Sequence, residues 1–306
     1  MSGIRSLPLS LGPLARPAVH LMREAPLWPR LLQGRGGGHR LLLLPAIGRG
    51  DGAARLRIWE MTRALDLMGW RTFVVPPGIS LTGRRRLIRA FGPDVILIQG
   101  VRHALNRPAL YPGLTIAMDM DDADFHLPHL AGPATEAMSG IDLLIAGSRY
   151  IATWGRGAGA PEAEVVWTGT PVSDRPRTAQ SARRPVVVWA PTRPMTYTRE
   201  AALVRRVMTG VARQRPGVTL RLYDRLPGED AAGADSFATP GLTVEWRERA
   251  TYSDYLASFD DVSVGLAPLC PETPFSRGKS FGKVLAYLDR EVPVVGSEAG
   301  EHGAFF

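Results

Sequence analysis

Two lysines stand four residues apart in the segment GKSFGK, residues 278 to 283, and they are the only lysines among 306 residues. Every other basic side chain is arginine. A lysine ammonium is a compact, mobile point charge, which suits contact with phosphate. The segment follows an aliphatic run and precedes a helical pattern, so Ser280 is the predicted N-cap, with Lys279 and Lys283 converging on one side of the helix start. Unpaired amides and the positive dipole end draw phosphate to such a place. A charge pair about 4 Å apart at an effective dielectric near 20 contributes roughly 4 kcal/mol before desolvation, enough to hold a diphosphate. GKS also matches the end of a P-loop, but that motif needs glycine where this chain has Thr273.

Further constellations lie nearer the amino terminus. Asp119, Asp121, Asp122 and Asp124 crowd together ahead of His126 and His129. Oxygen ligands of this kind suit magnesium or manganese; alternatively one carboxylate serves as a general base while its neighbours cap a turn. GRGDGAARLR, residues 48 to 57, is a glycine-rich turn with Gly50 placed for backbone approach to phosphate or acceptor and Arg55 or Arg57 as a cationic partner. GRRRLIRAF, residues 83 to 91, sets Leu87, Ile88 and Phe91 against four arginines, a pattern shared by membrane-surface helices and by ordinary surface helices of α/β units. Cys270 is the single cysteine, which excludes an internal disulfide and a cysteine zinc cluster. A net charge of +8 favours anionic partners, yet no nucleic-acid-binding motif accompanies it, and none of that class is expected. The longest apolar run, LLLLPAI, is broken by Pro45 and is too short to span a bilayer.

These groups need a scaffold, and aliphatic runs alternating with helical patterns supply one. LLLLP (41 to 45), TFVVP (72 to 76), DVILIQ (94 to 99), LTIAMD (114 to 119), DLLIAG (142 to 147) and EVVW (164 to 167) read as strands. A second series follows: VVVWAP (186 to 191), VTLRLYD (218 to 224), LTVEW (242 to 246), VSVGLAPL (262 to 269) and VPVVGS (292 to 297). Helices are predicted around 198 to 214, 252 to 258 and 279 to 290. The fold class is therefore α/β, with two tandem Rossmann-like domains at 39–170 and 186–306 joined by a proline- and arginine-rich linker at 171–185. Residues 1–38 read as a basic, Pro/Gly-rich extension without regular structure. Ligands of such folds bind at strand carboxyl ends.

Lys279, Ser280 and Lys283, an apolar helix, the strand Pro293 to Val295 and the following SEAGEH together resemble the donor-binding region of group 1 glycosyltransferases of the GT-B fold, in the subset carrying KSxxK. The APTR turn ending at Arg193 extends the likeness. The resemblance implies a metal-independent hexosyltransferase of polysaccharide biosynthesis, with a nucleoside diphosphate sugar as donor and no separate cofactor. Arg193, Lys279, Ser280 and Lys283 would hold the donor, helped by Gly50, Arg57 and Glu298, while Asp121 would polarise or deprotonate the acceptor hydroxyl. The implied acceptor is a glycan or a lipid-linked sugar, and the implied location is the cytoplasm, with peripheral contact at an anionic membrane face. Two glutamates of the family correspond here to Gly278 and Ala286, which leaves a non-catalytic sugar-nucleotide-binding protein as the second expectation. The second domain is expected to be shortened at its carboxyl end.

Overall fold

Leu42, Leu43 and Leu44 are wholly buried at the centre of a parallel sheet, where a continuous aliphatic run is the pattern expected of a strand covered on both faces. The computed structural model describes residues 15–33, 38–225 and 232–306. Its first sheet contains β1 (Arg40–Leu44), β2 (Arg71–Val74), β3 (Val95–Gln99), β4 (Ile116–Met120), β5 (Leu143–Ala146) and β6 (Ala163–Val165), ordered β2-β1-β3-β4-β5-β6. The second contains β7 (Val186–Trp189), β8 (Val218–Arg225), β9 (Leu242–Glu248), β10 (Val264–Ala267) and β11 (Val294–Gly296), ordered β11-β10-β7-β8-β9. All pairings are parallel, and each predicted strand is present. Helices Thr198–Gln214 and Tyr252–Ala257 also fall where the periodicity puts them.

The amino-terminal segment departs from expectation. Residues 1–14 and 34–37 lie outside the described residues, but Ala15–Glu24 and Leu27–Gln33 are helices packed on the helix Leu81–Phe91. Leu27 and Leu31 join the first core, and buried Glu24 pairs with Arg86 at 2.8 Å. A β-carbon on Gly83 would stand 2.2 Å from the Glu24 carboxylate, so any side chain there would have to displace that carboxylate. Prolines in the segment mask its apolar spacing from a sequence-based reading.

The basic helix is likewise spent on the fold. Leu87, Ile88 and Phe91 are buried in the first core, and Arg84 is fully buried, donating to Asn106 Oδ1 at 2.9 Å and Tyr111 Oη at 3.3 Å. Its apolar stripe is thus unavailable to a membrane surface. Among the described residues, no helix is long and apolar enough to cross a membrane.

Both sheets present their carboxyl ends to a shared cleft. Leu56, from the helical segment after β1, packs on the core of the second half, and Tyr252 Oη reaches Thr170 Oγ1 at 2.7 Å. Residues 171 to 185 run along the second half, held by bonds from Ser173 N to Asp289 Oδ1 and from Arg290 to the carbonyls of Arg175 and Pro176.

Candidate active site

The loop after β4 carries the acidic cluster, and three of its four aspartates are committed to cations. Asp119 is buried and accepts from Arg57 Nε at 2.9 and 3.1 Å and from Arg57 Nη2. Asp122 binds Arg102 Nη2 at 2.6 Å and Lys279 Nζ at 2.6 Å, the latter reaching across from the second half. Asp124 takes Arg102 through both Nε and Nη2. Asp121 alone makes no side-chain hydrogen bond among the described residues. Dehydration first, then the charges of Asp122 and Asp119, push its carboxyl up to about 7, although Arg57 and Arg102 oppose the shift. Among the described residues no group of three or more His, Cys, Asp or Glu side chains gathers around a metal position.

Burial of Arg57 places it elsewhere than the sequence reading did. The backbone over Arg55–Trp59 is a π-helix, which turns Arg57 inward. Its remaining nitrogen donates to Val166 O at 2.6 Å and Thr168 Oγ1 at 3.3 Å. All three guanidinium nitrogens are engaged, so Arg57 ties strand ends together and offers nothing to a ligand. Next to Gly50, the Asp51 carboxylate caps the following helix by accepting from the amides of Ala53 and Ala54, so those two donors are taken, while Gly50 itself stands in open space.

The helix bearing the second lysine opens at Gly282, later than predicted, with Phe281 at the cap position and no side-chain cap bond. Ser280 is therefore not its N-cap, and its buried Oγ has no hydrogen-bond partner among the described residues. Lys279 precedes the helix, and its ammonium lies 4.6 Å from the Phe275 ring and 5.4 Å from the Tyr197 ring. Burial alone would lower its pKa, but Asp122 and Tyr197 raise it, so this lysine stays charged. Asp122 shows the reciprocal balance: burial would raise its pKa, and Lys279 with Arg102 hold it well below the usual carboxylate range.

Lys283 differs. It has no ion pair among the described residues, and its Nζ sits 4.8 Å over the Tyr255 ring. The residue is exposed, with the Tyr255 ring on one side of its ammonium. Dehydration and then the Lys279 charge bring it down to about 8, against the pull of Asp51, Asp122 and Asp224.

Arg193 follows β7 in a left-handed conformation, its amide donating to Asp224 Oδ2 at 3.0 Å while its side chain is exposed. Asp224, also left-handed at the end of β8, is further held by Arg249. Glu298 is exposed and makes no hydrogen bond among the described residues. The carboxylate that matters in that loop is Glu301, which accepts from Arg149 N at 2.7 Å and Trp167 Nε1 at 2.8 Å and so latches the two halves. Sequence reasoning missed Arg102, Asp224 and Glu301. Each lies at or beyond a strand's carboxyl end, a positional signal that could have found them.

Gly278 and Ala286 also have structural reasons. A β-carbon on Gly278 would lie 2.6 Å from the Ala123 Cβ, so the acidic loop leaves no room for any side chain there. Ala286 is buried in the second core.

No family model matches the chain, and no curated protein matches it in sequence. Solved structures do match its fold. An α-glucosyltransferase in complex with UDP and DNA aligns at a TM-score of 0.62 with 12% identity, over 86% of this chain and 80% of the other. Sucrose-phosphate synthase from Thermosynechococcus elongatus gives 0.62 and 11%, over 86% and 82%. A protein described as a UDP-N-acetylglucosamine 2-epimerase from Listeria monocytogenes gives 0.56 and 12%, over 88% and 81%. The chain accordingly has the two-sheet α/β architecture of GT-B glycosyltransferases.

Proposed function

We propose that this protein is a metal-independent glycosyltransferase that moves a hexosyl group from a nucleoside diphosphate sugar to a glycan or lipid-linked acceptor. The observation that carries the reading is the asymmetry across the cleft: among the described residues, Lys283 is a cation without an ion pair on the second half, and Asp121 is the one aspartate of the acidic cluster on the first half without a side-chain hydrogen bond. In the reaction, the acceptor oxygen bonds to the anomeric carbon while the bond from that carbon to the diphosphate oxygen breaks. The bond pair leaves with the diphosphate, whose added charge Lys279, Lys283 and Arg193 stabilise in place of a divalent cation. Asp121 takes the acceptor proton, a role matched by a carboxyl poised near neutrality. Since Lys279 already binds Asp122, a donor diphosphate would share or displace that contact, coupling donor binding to the acidic loop. Solved neighbours of the same fold carry UDP, which supports uridine nucleotides as the first probes.

The test is transfer from UDP-sugars and GDP-sugars by the wild type and by Lys279→Ala/Lys283→Ala. Loss of at least about 100-fold in kcat/KM is expected from charge–charge terms of roughly 4 kcal/mol less desolvation. Near-normal transfer by the double variant would sink the assignment. A second reading, a sugar-nucleotide-binding protein without catalysis, is favoured by the absence of a carboxylate at Gly278 and Ala286. Nucleotide binding with no transfer across a donor and acceptor panel would select it.

A further inference from the structure

A cavity of about 300 Å³ opens between the halves beside the cleft, with walls from Arg149 and Tyr150 on one side and Leu269, Pro271, Arg277 and Ala299 on the other. Its surface is largely apolar, and its charged lining residues are Arg149, Arg277 and Glu301. Arg277 spends Nε on the Pro271 carbonyl at 2.6 Å, and Arg149 directs Nε to Glu301 at 3.3 Å. The Nη groups of both arginines have no hydrogen-bond partner among the described residues. Glu301 also lines the cavity, but its side chain is 4% exposed and its oxygens are occupied by Arg149 and Trp167, so the balance of charge facing a ligand is positive.

The position matters as much as the charge. Arg277 immediately precedes Gly278, which touches Ala123, and Lys279, which binds Asp122. Arg149 lies two residues beyond Gly147, where a β-carbon would stand 2.7 Å from the Asp121 Cα. One wall of the cavity thus continues into the lysine segment and the other into the loop carrying the uncommitted carboxylate.

We infer that this cavity is an acceptor subsite for an anionic group, a phosphate monoester or a carboxylate, gripped between Arg149 and Arg277 with the adjoining uncharged part of the ligand on Leu269, Pro271 and Ala299. This rests on the glycosyl-transfer reading for the word acceptor, but the anion site itself does not. Guanidinium forks present paired donors to such groups, and an apolar floor strengthens those bonds by excluding water.

The experiment titrates phenyl phosphate, benzoate and benzyl alcohol into the full chain by calorimetry, with and without saturating UDP, and repeats the series on Arg149→Gln/Arg277→Gln. At least one anion should bind about 10- to 100-fold more tightly than benzyl alcohol, and the double variant should lose that margin. The tighter of the two anions identifies the headgroup. Equal binding of the uncharged probe, failure of both anions to bind, or undiminished anion affinity in the double variant would overturn the inference. Melting temperature and UDP affinity of the variant serve as folding controls, because both arginine side chains are exposed. If UDP fails to bind the wild type while the anion still binds, the glycosyltransferase reading fails and the anion site stands.

Discussion

Binding of a nucleoside diphosphate should pull a proton onto Lys283. Free of ligand, this amine sits near pKa 8 because dehydration and the Lys279 charge disfavour its ammonium form. At pH 8 it is therefore about half protonated. A phosphate charge at about 4 Å and an effective dielectric near 20 favours the ammonium by roughly 4 kcal/mol, close to three pKa units, so the bound state is fully protonated. Uptake of about 0.5 proton per site is expected at pH 8, falling to about 0.1 at pH 7. Calorimetry of UDP binding in buffers of different ionisation enthalpy reads that number as a slope. Asp121 titrates nearby, so the measurement is made in an Asp121→Asn background and repeated with Lys283→Met added. No uptake despite tight binding, or the same uptake after Lys283 is removed, would refute the reasoning.

Other expectations follow from the same contacts. The kcat/KM profile should be bell-shaped, since Asp121 must be ionised, above about 7, and Lys283 protonated, below about 8; Asp121→Asn should lower the rate and remove the acid limb. Lys283→Met should stabilise the unliganded protein. The folded pKa is depressed, so the charged amine costs stability below about pH 8, and that cost fades towards the unfolded value near 10.5. A shift of this size corresponds to roughly 3 kcal/mol for a fully dehydrated group, and the open side of Lys283 reduces it to about 1 kcal/mol, visible as a larger gain in melting temperature of the variant over the wild type at pH 7 than at pH 10. Arg57→Met should destabilise by about 3–5 kcal/mol in urea by stranding buried Asp119, and adding Asp119→Leu should recover much of the loss. Gly278→Glu should cost about 1–3 kcal/mol and restore no activity, because Ala123 occupies the space; a stable, more active variant would contradict the close approach.

The strands were legible because burial on both faces of a parallel sheet demands uninterrupted aliphatic runs such as Leu41 to Leu44, and that demand is local in sequence. The rarity of the two lysines is likewise a property of composition. Local signals failed where the answer depends on partners far along the chain. Nothing near Arg57 announces that Asp119, Val166 and Thr168 will consume its guanidinium, and nothing near Ser280 shows the helix waiting until Gly282. The division between Lys279, neutralised by Asp122 from the other half, and Lys283, without an ion pair among the described residues and lying over Tyr255, is likewise tertiary. The sequence by itself determined a two-sheet α/β scaffold and a cationic segment at a strand's end. Only the packing of the two halves decided which charges remain open to a ligand, because ion pairing and dehydration act between residues that meet only when the chain has folded.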